Sequence, residues 1–132
     1  MPVYATADEL YTVLKDVFDR VNEEPAHITT FTSSNLVIRM RFTGPEAEVL
    51  LDGRQPPLEV FFGNRPGDAD LELSMAADLL HKIWLGQVKL KDAFFGGQIQ
   101  TKGNVLRAMK LTDLFREAET AYPQVLAQQG RM

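Results

Sequence analysis

The chain has two histidines, His27 and His81, and no cysteine. Neither histidine has a second histidine four residues away, and Pro25 interrupts the helical spacing between Glu23 and His27. A helical metal site therefore has no ligand set here. Absent thiols exclude cysteine nucleophiles, disulfide scaffolds and cysteine-bound zinc, and they fit a reducing, cytoplasmic setting. Ser33, Ser34 and Ser74 stand in or beside strand patterns, with no G-x-S-x-G elbow around them. The run GGQIQTKGN is rich in glycine but matches neither phosphate-loop signature. With 18 acids in 132 residues, pairs of carboxylates occur throughout and single out no acid–base couple. The spacing assigns no catalytic residue, metal or cofactor, and the expectation is a protein that is not an enzyme.

Charge and apolar surface carry more information. The net charge is −4, yet between Lys82 and Lys110 the bases Lys82, Lys89, Lys91, Lys102, Arg107 and Lys110 face Asp92 alone. Such a segment suits an anionic head group, an acidic partner or a transient membrane-surface contact. Too few aromatics alternate with the bases to stack a nucleic acid. The same part of the chain holds Met75, Trp84, Phe94, Phe95, Met109 and Phe115. Each is an ordinary core residue taken alone. Together, flexible methionines and large rings suit the wall of an adaptable apolar pocket.

The elements that must position these residues follow from periodicity. Thr6 and Glu9 form a T-x-x-E capping box, and Leu10, Val13, Leu14, Val17, Phe18 and Val21 recur at helical spacing, ending before Pro25. Leu36, Ile38, Met40 and Phe42 alternate with Val37, Arg39 and Arg41, which is a strand with one buried face. EAEVLLDG, LEVFFG and DLELSM read as further strands joined by turns, and suggest an antiparallel meander. A helix from Ala76 closes on Gly86, a helical turn spans Lys91 to Phe95, and a short strand runs from Gly97 to Gly103. A helix capped by Asn104 carries Val105, Leu106, Met109, Leu111, Leu114 and Phe115, and Tyr122-Pro123 breaks or kinks it before a frayed tail. Strands segregated from helices predict an α+β fold, a single domain with helices on one face of a mostly antiparallel sheet. The N-terminus lacks a signal-peptide pattern, and no run of eighteen apolar residues occurs.

The segment MAADLLHKIWLGQVKLKDAFFGGQIQTKGNVLRAMKL, Met75 to Leu111, resembles the lipid-binding domain of the sterol carrier protein type 2 family. The features fall in order: a strand ending in Ser74-Met75-Ala76, a helix closing on Gly86, Ala93-Phe94-Phe95, a glycine-flanked strand, Thr101-Lys102-Gly103-Asn104 and Ala108-Met109-Lys110-Leu111. The resemblance implies about five strands under a helical layer, with an apolar tunnel between them for a sterol, fatty acid, acyl-coenzyme A or phospholipid. It implies a tunnel floor of Ile38, Met40 and Phe61, with Met75, Ile83, Trp84, Phe94, Phe95, Ile99, Leu106 and Met109 around it. Of the paired rings, one would enter the core and one would face the tunnel. Lys89, Lys91 and Lys102 would meet a head group. The chain ends in Gly130-Arg131-Met132, so no peroxisomal address is expected. The leading expectation is a non-catalytic lipid carrier. The alternative is an accessory subunit that presents a hydrophobic substrate, such as a quinone precursor, to a partner enzyme.

Overall fold

A computed structural model describes residues 3–103 and 105–131. The first helix, α1 (Ala7–Val21), begins at the expected capping box, where Thr6 accepts from the Glu9 backbone and Glu9 accepts from the Thr6 backbone. Its apolar stripe, from Leu10 to Val21, is buried. A 3-10 turn (Pro25–Ile28) and a single helical turn, α2 (Thr29–Thr32), lead into the sheet.

Five strands follow in the spatial order β3-β2-β1-β4-β5: β1 (Leu36–Thr43), β2 (Ala47–Gly53), β3 (Glu59–Phe62), β4 (Leu71–Ala76) and β5 (Gln100–Lys102). The first three form the expected meander. The fourth corrects it: β4 pairs with β1 in parallel, Ile38 opposite Leu71 and Met40 opposite Leu73. Three strand spacings of about 4.8 Å separate β3 from β4. The eight residues 63–70 can span about 26 Å, so the crossing is well within reach. Two devices fix it. Arg39, buried on the sheet face away from the helices, donates through Nη2 to the carbonyls of Arg65 (3.0 Å) and Gly67 (2.8 Å) in the crossing loop. Asp70 accepts from the Val37 backbone through Oδ2 (2.8 Å), while its own N–H donates to the Val37 carbonyl (2.8 Å). These contacts set the start of β4 against β1.

The remaining helices are α3 (Ala77–Trp84), α4 (Leu90–Phe95) and α5 (Thr112–Gln128). Pro123 does not end α5, which continues to Gln128. A mid-helix proline costs about 3 kcal/mol. Packing against α1 offsets that cost: Val125 and Leu126 are buried, Arg20 donates to Gln124 and Gln128, and Gln129 donates to Asp16. Asn104, the expected cap, lies outside the described residues.

Trp84 is at the centre of the helical layer. Its ring meets Phe18 of α1 at 6.1 Å and Phe115 and Tyr122 of α5 at 5.5 and 5.4 Å, all edge-on. At the sheet end, Gly53 leaves no space for a side chain. An added Cβ would lie 2.8 Å from both the Phe31 carbonyl oxygen and the Phe31 ring. Gly53→Ala should therefore force α2 away from β2 and lower the unfolding free energy by about 1–3 kcal/mol. A lower urea midpoint at unchanged slope checks this.

Candidate functional site

A cleft that includes Phe94 and Met109 of the expected apolar residues lies where α4, the segment before α5, and the start of α5 converge. Its volume is about 230 Å³, and it is lined by Leu90, Lys91, Phe94, Met109, Thr112, Phe115, Arg116 and Glu119. Each element supplies one stripe. In α4, Leu90 and Phe94 are four residues apart and share a face, while Ala93 is buried against the core. Gly86 and Gly97, with φ of 76° and 79°, take the left-handed conformation that ends α3 and α4. They isolate α4 as a short brace. In α5, Thr112, Phe115, Arg116 and Glu119 follow helical spacing and form the opposite wall.

The third wall departs from the sequence expectation. Val105–Leu111 is a 3-10 helix rather than the first turns of a continuous α-helix. With three residues per turn, side chains three apart eclipse. Ala108 and Leu111 therefore stack inward and are buried, whereas Leu106 and Met109 stack outward, 75 % and 51 % exposed. Thr112 donates to the Met109 carbonyl at 2.7 Å and secures the junction with α5.

The other residues expected at the site divide into three groups. Ile38, Met40, Met75, Ile83, Trp84 and Ile99 are buried in the core beside the cleft. Phe115 joins the two regions, because it lines the cleft and touches Trp84. Phe61 lies on the far side of the sheet: it pairs with Leu50, in register with Arg39, and Arg65 stacks on its ring at 3.8 Å. Val60 and Phe62 are the β3 residues opposite the buried Leu51 and Val49. Phe95 does not enter the core and is 79 % exposed, while its neighbour Phe94 lines the cleft. Among the lysines, Lys91 is at the cleft. Lys89 is exposed at the start of α4, and Lys102 is on the edge strand, 4.0 Å from Glu72. Leu90, Thr112, Arg116 and Glu119 were not among the expected site residues, although the four-residue repeats at 90/94 and 112/116 are visible in the chain, and Phe115 stood among the rings suited to a pocket wall.

Behind the cleft, at the far half of α5, is a buried polar chain. Tyr122 Oη is 2.5 Å from Tyr4 Oη and 2.7 Å from His81 Nδ1. Burial raises the pKa of both phenols and lowers that of His81. Neutral His81 and the two phenols thus form one continuous hydrogen-bonded chain. Among the described residues, no three histidine or acidic side chains group as a metal site, and no helix is long and apolar enough to cross a membrane.

Residues 14–116 match the SCP-2 sterol transfer family. The chain belongs to that family. It is an SCP2-like lipid-binding domain over most of its length. A mouse relative, hydroxysteroid dehydrogenase-like protein 2, is 26 % identical over 117 residues, which cover 88 % of this chain and 22 % of the relative. The chain thus spans less than a quarter of that protein. Sterol carrier protein 2 from Yarrowia lipolytica, in its apo form, superposes with a TM-score of 0.62 at 22 % identity, covering 83 % of this chain and 89 % of that one. The UbiJ-SCP2 ubiquinone synthesis protein superposes with a TM-score of 0.59 at 18 % identity, covering 87 % and 89 %. Both structures share the fold of this SCP2 domain.

The polar chain gives a pH prediction. A histidine whose folded pKa lies below its unfolded value of about 6.5 binds protons more readily when unfolded. Its contribution is complete above pH 6.5 and is lost as pH falls toward the folded pKa. The urea midpoint should therefore drop on acidification through this window. In His81→Gln that part of the pH dependence should disappear.

Proposed function

We propose that the protein binds the apolar end of a lipid in the cleft between α4, the 3-10 segment and α5, and performs no chemistry on it. The observation that carries this reading is the cleft wall itself: Leu90, Phe94, Met109 and Phe115 converge on one open space that reaches the aromatic core. Each methylene that leaves water for such a wall gains about 0.8 kcal/mol. Binding therefore needs no dedicated hydrogen bonds, and selectivity among sterols, fatty acids, acyl-coenzyme A and phospholipids is low.

At about 230 Å³ the cleft is smaller than the roughly 300–1,000 Å³ of sites that enclose a drug-sized ligand. A full acyl chain requires it to widen. Met109 is the wall that gives way, since its thioether chain is flexible and half exposed. Lys91 and Arg116 stand at the rim for an anionic head group, with Glu119 beside them to disfavour a second negative charge.

A second reading is favoured by the likeness to the ubiquinone synthesis protein. In it the same cleft holds an isoprenoid tail while a partner enzyme acts on the exposed ring. Affinity capture from the native host separates the two: a stoichiometric enzyme partner supports presentation, and its absence supports a free carrier.

Native mass spectrometry of freshly purified protein, with the released molecules identified after solvent extraction, tests the site. The expected result is a discrete added mass that resolves into lipids. Met109→Arg places an unpaired charge against the apolar wall and should reduce lipid occupancy by at least about tenfold, with an unchanged circular dichroism spectrum. Undiminished lipid in the folded variant would remove the cleft from consideration.

A further inference from the structure

We infer that the exposed edge formed by α4 and the 3-10 segment docks on an anionic bilayer. Phe95, Leu106 and Met109 are the large apolar side chains exposed among the described residues, and all three belong to these two segments. Large exposed apolar groups rimmed by polar residues mark interaction surfaces. The rim here is mainly basic: Lys89, Lys91, Arg107 and Lys110 are exposed, against Asp92 as the one acid between Lys82 and Lys110 in the sequence.

None of these four bases forms an ion pair among the described residues. Elsewhere among the described residues Lys15, Arg41, Arg54 and Arg131 are each paired with a carboxylate, while Arg20, Arg65, Lys82 and Arg116 are not. The chain as a whole is acidic, at −4. An anionic surface therefore repels most of the protein and attracts this edge, which fixes orientation as well as affinity.

A bilayer suits the edge better than a folded partner does. The three apolar side chains project from two short segments among exposed bases, with Met109 at the mouth of the cleft. Insertion into lipid needs only that each apolar group reach below the head groups while the bases remain among the phosphates. The surface follows from exposed residues, and it stands whatever the cleft holds. Met109 belongs to both, so docking brings the cleft mouth to the lipid.

The chain has no cysteine, so a single introduced one takes one environment-sensitive fluorophore. Phe95→Cys is labelled to probe the edge and Arg54→Cys to probe a remote loop. Each protein is mixed with vesicles of phosphatidylcholine alone or of equal parts phosphatidylcholine and phosphatidylserine. The expected result is a blue shift at position 95 with the anionic vesicles, no shift at position 54, and release by added salt. In otherwise unlabelled protein, Arg107→Gln with Lys110→Gln should weaken cosedimentation with anionic vesicles roughly thirtyfold, from about 1 kcal/mol per basic residue near the surface.

Absence of partition into either vesicle overturns the inference and leaves the edge to an acidic protein. Equal response at positions 95 and 54, or undiminished binding by the double variant, also overturns it. So does self-association that shields position 95 without lipid. Vesicle binding by protein that yields no extracted lipid would instead count against the cleft alone.

Discussion

Trp84 is the contact on which the helical layer depends. It sits at the end of α3 and meets α1 through Phe18 and α5 through Phe115 and Tyr122. Edge-to-face pairs of this kind contribute about 0.5–1.5 kcal/mol each beyond their burial. The indole Nε1 is buried with no hydrogen-bond partner among the described residues, which costs about 1–3 kcal/mol. The arrangement thus gives up one polar contact to hold three helices in a single aromatic cluster. That cluster also determines where open space can exist. The centre of the layer is filled, and the helices that follow α3 must close over its end with short pieces.

Those short pieces explain why the cleft is where it is. Between Gly86 and Thr112 the helical segments are the six-residue α4 and a seven-residue 3-10 helix. Neither is long enough to be stable by its own hydrogen bonds, so both rely on the few side chains they bury. Ala93, Ala108 and Leu111 do that anchoring. Two of the three are alanines, which bring the backbone close but fill little volume. A wall anchored by small residues can move away from the core at little loss of buried area, while Trp84 and Phe115 stay in place behind it.

The elements legible in the sequence were those whose evidence is local. The capping box of α1, the alternation in β1 and the closing glycine of α3 each follow from residues within a turn or two of one another. The placement of β4 did not, because it rests on Arg39 and Asp70 reaching across residues 63–70 to distant partners. Phe61 was ambiguous for a related reason. LEVFFG is apolar on both faces, so its register depends on the pairing of Val60 with Leu51, which the segment alone does not encode. Pro123 reads locally as a breaker, and it is overruled by buried residues on both α1 and α5.

The site shows the same division more sharply. Leu106 and Met109 stand three residues apart, as do Ala108 and Leu111, and the spacing of apolar residues alone does not say which pair is buried. At 3.6 residues per turn, 100° per residue, Leu106 and Met109 would already point away from Leu111 and Phe115. At three per turn, Leu106 and Met109 separate from Ala108 and Leu111 onto the outer edge. Either winding separates these two pairs, and burial of Ala108 and Leu111 leaves Leu106 and Met109 on the surface. That choice of the inward pair gives the protein an apolar edge beside its cleft. Just after β5, Gly103, at φ 117°, has no room for a side chain, since an added Cβ would lie 2.9 Å from the Asp70 carbonyl oxygen. The parallel β4, which places Asp70 there, thus makes glycine the residue that fits at position 103.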